Sequence, residues 1–303
     1  MRDPIARGIV VAVDGSPSST AAVEWAARDA ELHNVPLRVV HVIAPLTYVA
    51  EGWSAFPTEV YSQAQEKEST RILEQAHKVA VEAAAPDRAS QVTSEVLHEP
   101  IVPGLVDLSK TAGLVVVGCR GEGGVSGALL GSVSSGLVHH AHCPVAVIHD
   151  EDPTAQPSEA PVVVGIDGSP TSELATEIAF DEASRRGVEL VALHAWTDMG
   201  PLEFPRTNWA PIEWRNYKEQ EEEVLSERLS GYRDRYPDVA VRKVVVSDRP
   251  APRLLEQAEH AQLVVVGSHG RGGFTGMLLG SVARAVVHSA RVPVIVARKP
   301  DHR

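Results

Sequence analysis

Leu263-Val264-Val265-Val266-Gly267-Ser268-His269-Gly270, running on to Gly280-Ser281, is the stretch on which the rest of the chain is organised. Its four apolar residues read as a buried parallel strand, because a strand covered on both faces has no polar alternation. A loop rich in glycine follows, and Ser281 opens an apolar-periodic segment that reads as a helix. A strand, a glycine loop and a helix N-terminus make a ready place for an anion. Backbone N–H groups approach closely, and the helix dipole favours negative charge there.

The same stretch occurs twice. Gly118-Cys119-Arg120-Gly121 leads to Gly131-Ser132 with identical spacing, so both copies are G-x-x-G-x9-G-S. Aligning 113–150 with 262–299 gives 20 identities in 38 positions. That is an internal repeat, and it sets the architecture.

At 303 residues the chain suits about two domains of ~150 residues each. The expected bounds are 1–149, a linker at 150–160 and 161–303. The linker is polar and carries Pro153 and Pro157. No apolar run reaches the ~18–20 residues of a membrane span, and no signal-peptide pattern opens the chain. The formal charge of −12 argues against nucleic acid and anionic membrane as partners. The two cysteines, Cys119 and Cys143, have no counterparts in the second half. A disulfide framework is therefore not expected, and a reducing cytoplasm is.

Each half alternates strand and helix. Gly8–Val13 reads as a strand ending in Asp14-Gly15-Ser16-Pro17, a sharp turn into a helix. Further strands are expected at 37–43, 91–97, 114–117 and 144–149, with helices at 59–85, 102–111 and 132–142. The order restarts at Pro161, and Asp167-Gly168-Ser169-Pro170 repeats the turn. Such alternation predicts a mainly parallel sheet with helices on both faces. Ligands in such a sheet sit beyond the carboxyl ends of the strands, where the strand order reverses. If strands one and four are neighbours, Asp14 and the 118–132 loop flank one crevice, and Asp167 and the 267–281 loop another.

With both Asp-Gly-Ser turns and both glycine motifs, the chain resembles the universal stress protein family over nearly its whole length, as two tandem domains. The resemblance implies flavodoxin-like or adenine-nucleotide α-hydrolase-like sheets, five parallel strands in the order 3-2-1-4-5. Members with this glycine motif resemble the ATP-binding branch. Position by position, Asp14 and Asp167 would contact the nucleoside. Val42 and Ala195, placed just past the second strand, would present backbone to the adenine edge. Gly118, Arg120, Gly121, Gly131, Ser132 and Val133 would surround ribose and phosphates in the first domain. Gly267, His269, Gly270, Gly280, Ser281 and Val282 would do so in the second. The implied ligand is ATP, with a magnesium ion held by its phosphates. The fifth strands, Val145–Ile148 and Val294–Ala297, resemble the family's dimerising edge, which implies pairing of the two halves and homo-oligomers through sheet edges.

Other motifs weigh less. The loop is not a Walker A loop, since no lysine follows its last glycine, and no dinucleotide fingerprint follows strand one. Asp14 and Asp167 also suit plain capping of the next helix. His139, His140, His142 and Cys143 invite a metal, but the second copy offers only His288 there. Cys119 reads as a redox-sensitive thiol or as small filler equivalent to Ser268. Trp53, Phe56, Trp209 and Trp214 suit lids or interface anchors. No catalytic elbow, zinc-binding H-E-x-x-H or pair of carboxylates at a telling spacing is present. The expectation is thus a nucleotide-sensing protein of a stress response. The alternatives are a slow ATPase and a nucleotide-independent interaction module.

Overall fold

A computed structural model describes residues 5–45, 58–121, 130–149, 157–196, 211–271 and 279–298, with the side chains of 58–61 and 211–217 left out. Trp53, Phe56 and Trp209, the side chain of Trp214, and most of the nine-residue insert of each glycine motif lie outside the described residues. The chain divides into two compact units, Met1–Pro153 with Arg298–Arg303, and Thr154–Ala297.

The first unit is built on β1 (Ile9–Val13), β2 (Leu37–Ile43), β3 (Val92–His98), β4 (Leu114–Gly118) and β5 (Val145–Ile148). They lie parallel in the order β3-β2-β1-β4-β5. Ile9 pairs with Leu37 on one side and with Leu114 on the other. The chain therefore steps from β1 outward to β3, then returns to β4 on the opposite flank. The order reverses between β1 and β4, which leaves a crevice at their carboxyl ends. The valine-rich strands are apolar throughout because helices cover both faces; Val11, Val39, Val40, Val115, Val116 and Val147 are fully buried. Helices α1 (Pro17–His33) and α2 (Thr58–Ala83) pack together over one face, and α3 (Ile101–Leu108) and α4 (Ser132–His140) over the other.

Helix boundaries follow local chemistry. Ser16 caps α1, its hydroxyl accepting the Ser19 N–H at 3.2 Å. Asn34 closes the helix in the left-handed region at φ 54°. Pro103 sits in the first turn of α3, where no intrahelical donor is needed, so it does not break the helix. β3 is an edge strand, and only Val92 in it is fully buried.

The second unit repeats the plan with β6 (Val162–Gly165), β7 (Leu190–Ala195), β8 (Val241–Val246), β9 (Leu263–Gly267) and β10 (Val294–Ala297). Their order is β8-β7-β6-β9-β10, again parallel. The helices are α5 (Pro170–Arg186), α6 (Pro211–Arg235), α7 (Pro250–Ala258) and α8 (Ser281–Ser289). Ser169 caps α5 as Ser16 caps α1, accepting the Ser172 N–H at 3.2 Å. No described helix is long and apolar enough to cross a membrane.

Gly118 ends β4 against the start of α1. A Cβ there would lie 2.7 Å from the Ser18 carbonyl carbon and 2.8 Å from its oxygen. Gly267 meets Ser172 N at 2.8 Å in the same way. Both obstacles are backbone, which cannot swing aside. Gly118→Ala should therefore lower unfolding stability by roughly 1–3 kcal/mol, the usual range for overpacking. Gly131→Ala should cost less, because its Cβ would approach no atom closer than 3.3 Å. Urea titration of both variants checks this, and equal midpoints would refute it.

Cys143 is buried just before β5, and burial pushes its thiol up to about 12. A folded value above the unfolded one means the thiol stays protonated through neutral pH, and its contribution to stability fades only as pH rises past the unfolded value. In a Cys119→Ser background, iodoacetamide at pH 8 should leave the folded chain unmodified while alkylating the urea-unfolded chain. Comparable rates in the two states would contradict this burial.

Candidate functional site

Each unit has one cavity at the carboxyl ends of its central strands. That of the first unit, about 240 Å³, opens between the Asp14 turn after β1 and the glycine loop after β4. The structure places Asp14, Val42, Gly118, Arg120, Gly121, Gly131, Ser132 and Val133 around it. The cavity of the second unit, about 280 Å³, is lined by Asp167, Ala195, Gly267, His269, Gly270, Gly280, Ser281 and Val282. One position needs correction. Val42 and Ala195 lie within β2 and β7 rather than past their ends, because these strands pair with the edge strand up to Ile43 and Ala195.

The Asp turn and the glycine loop are bonded to each other. Asp14 Oδ1 accepts the Ser16 N–H at 3.0 Å and the Ser16 hydroxyl at 2.6 Å. Ser18 Oγ donates to the Arg120 carbonyl across the crevice. In the second unit Asp167 Oδ1 accepts the Ser169 N–H at 2.9 Å, and its Oδ2 accepts the Arg271 N–H at 3.1 Å. There Thr171 Oγ1 donates to the His269 carbonyl at 2.6 Å, in the place of Ser18. The aspartates therefore do not cap the helices, which Ser16 and Ser169 do. They brace the turn, and Oδ2 faces the second glycine of the motif. A Cβ on Gly121 would lie 2.5 Å from Asp14 Oδ2, and one on Gly270 would lie 2.6 Å from Asp167 Oδ2.

The other wall is the start of α4 or α8. The Gly131 N–H closes the loop onto the Cys119 carbonyl at 2.7 Å, and the Gly280 N–H does the same onto Ser268 at 2.7 Å. Gly131 and Gly280 are the N-caps, and neither brings a side chain to the first turn. Ser132 and Val133, like Ser281 and Val282, thus keep amides that the helix itself does not use, and these form the positive end of its dipole. The contrast with the serine-capped α1 and α5 is local and repeated.

The opposite end of each cavity is apolar. Ile101 and Leu105 of α3 close the first, and Pro250 and Leu254 of α7 close the second. Ile101 is 38% exposed, which for an isoleucine on a helix facing the sheet means that it borders open space. These four positions were not expected from the motifs. A signal existed: both pairs are four residues apart, at the same 149-residue offset as the glycine motifs.

Chemically, each cavity offers, among the described residues, an apolar end, amides that the helix does not use and one carboxylate. Asp14 and Asp167 are the only carboxylates among the described residues that line them. Ser268 Oγ lies 3.1 Å from His269 Nδ1 beside the second cavity, but Ser268 itself is buried. The arrangement suits a ligand with a flat, weakly polar part and an anionic tail.

The Universal stress protein family model matches residues 6–149 and 160–298. Universal stress protein Rv1996 of Mycobacterium tuberculosis is 65% identical over 304 residues, covering 97% of this chain and 96% of its own. Universal stress protein Rv2005c of the same organism is 53% identical over 295 residues, covering 96% and 97%. A crystal structure of a universal stress protein from Archaeoglobus fulgidus superposes with a TM-score of 0.68 at 21% identity, over 97% of this chain and 99% of that one. That likeness bears on the fold; the sequence matches bear on descent. With its α/β units, doubled motif and full-length relatives, the chain belongs to the universal stress protein family.

Proposed function

We propose that each unit binds one adenine nucleotide, ATP carrying a magnesium ion on its phosphates, and that occupancy of the two sites is the signal this protein gives in a cytoplasmic stress response. The observation that carries the reading is the duplication of one cavity, position for position, with amides that the helix does not use at one end and an apolar wall at the other. The backbone of Val42 or Ala195 meets the adenine edge, and Ile101 and Leu105, or Pro250 and Leu254, cover its face. Asp14 or Asp167 accepts from the ribose hydroxyls. Gly118, Arg120 and Gly121, with Gly131, Ser132 and Val133, surround the phosphates in the first unit. Gly267, His269, Gly270, Gly280, Ser281 and Val282 do so in the second. A magnesium ion fits this donor set as a passenger of the phosphates, since one carboxylate per cavity makes no protein cage. On this reading hydrolysis is at most slow, since each cavity offers one carboxylate among the described residues to place a metal ion. The protein self-associates through its sheet edges, a point that light scattering checks.

The test is the nucleotide that co-purifies. Denaturing the purified chain and weighing the released small molecules should give adenine nucleotide at up to two per chain. Added ATP should raise the melting temperature, since a ligand at ~100 times its Kd stabilises by about 2.7 kcal/mol. Gly121→Arg or Gly270→Arg should each remove one equivalent, because the new side chain displaces the aspartate and fills the crevice. Absence of both bound nucleotide and a melting shift would defeat the reading, and unchanged stoichiometry in the variants would move the site elsewhere.

A further inference from the structure

His41 and His194 stand at the same offset along the chain as the two Asp turns, and they make the same bond. His41 Nδ1 donates to the Val13 carbonyl at 2.8 Å, and His194 Nδ1 to the Ile166 carbonyl at 2.6 Å. Each accepting residue directly precedes the aspartate of its turn and lines its cavity. The histidine therefore holds the turn through its backbone. A carbonyl has no hydrogen to give, so Nδ1 carries the proton in both rings. In a neutral ring of this tautomer, Nε2 carries none.

The two rings differ at Nε2. His194 is buried, and its Nε2 lies 3.0 Å from Glu221 Oε2 on α6. An unprotonated ring nitrogen and a carboxylate would meet with lone pairs only, so this bond exists only while the pair holds one further proton. The counterpart of Glu221 in the first unit, at the same offset, is Glu68. Glu68 is exposed and accepts from Arg71 Nε at 3.0 Å. The position matching Arg71 is Val224, which offers Glu221 no such partner. One arginine exchanged for valine thus accounts for the different course of the two carboxylates.

Other charged groups stand near the bridge. Asp167 belongs to the turn itself, and Arg228 of α6 lies against Gly168. Lys243 of β8 donates to Ser226 at 2.6 Å. Carboxylate, guanidinium and ammonium groups as classes keep their charge between about pH 6 and about pH 9, which leaves imidazole to change. His269, which lines the second cavity, is a second imidazole at this end.

We propose that His194 and Glu221 are positioning residues of the second site: a proton shared between them ties α6 to the backbone ahead of Asp167, and its loss at rising pH weakens the second site relative to the first. The ligand in this inference rests on the nucleotide reading of the cavities; the bridge does not. The direction follows from linkage. The bonded form carries the proton, so it is favoured at low pH and lost as pH rises.

The experiment measures ATP affinity from about pH 6 to about pH 9 in the full chain carrying Gly121→Arg, which leaves the second site, and in Gly270→Arg, which leaves the first. Over this span the second site should lose roughly tenfold more affinity than the first, the scale of one hydrogen bond to a charged group. Parallel behaviour of the two sites would overturn the proposal. Glu221→Gln, added to Gly121→Arg, tests the cause, because its amide can donate to Nε2 with no added proton. It should keep the low-pH affinity and remove the decline. A decline that survives it would belong to His269 or to the nucleotide, and would also overturn the proposal. Nitrogen NMR of the ligand-free parent tells failure of the bridge from failure of the nucleotide reading. His194 Nε2 should lose its proton across this span while Nδ1 keeps its own, and the amide signals of Ile166 and Asp167 should shift with the same midpoint. An Nε2 without a proton throughout, or amide signals that stay still, would count against the bridge. Both changes in a chain that binds no ATP would keep the bridge and discard the ligand.

Discussion

The backbone contact between the end of β4 and the first turn of α1, and its copy between β9 and α5, is the constraint on which both sites depend. At Gly118 and Gly267 strand and helix approach closer than any side chain allows. This contact sets the distance between the Asp turn and the glycine loop. It brings Ser18 Oγ to the Arg120 carbonyl and Thr171 Oγ1 to that of His269. The first glycine of the motif is therefore structural before it is functional. The second glycine answers to the aspartate, and the third to the helix that begins there.

From that contact the cavity follows in order. The strand order reverses between β1 and β4, so a gap must open at their carboxyl ends. One rim is a turn held by its own aspartate and serine. The other is a helix that starts without a side-chain cap. The floor is apolar because α3 and α7 turn one aliphatic edge toward it. Both crevices arise from the same few bonds, which is why duplicated sequence gives duplicated shape.

Much of this is legible in the chain itself. Valine runs, the Asp-Gly-Ser turns and the spaced glycines give the order of elements and most of each lining, since each signal is local. What escaped the reading is of another kind. Ile101 and Leu105 look like any amphipathic helix, and only the fold turns them toward a crevice. Ala195 was placed past its strand because the pairing that extends β7 to Ala195 comes from β8, about fifty residues away. The structural side of Gly118 was also hidden, because the partner that forbids a side chain there is a backbone atom one hundred residues earlier.

Gly131 and Gly280 carry a consequence for how such a chain can change. A serine or aspartate at either position would strengthen its helix, though only by a few tenths of a kcal/mol over the glycine N-cap. The new side chain would do so by taking the very amides that now face the crevice. Robustness and receptivity are thus set against each other at a single atom, the missing Cβ of a helix-opening residue. A lineage drifting toward a sturdier fold would close its open helix starts one domain at a time, and would keep its architecture while doing so.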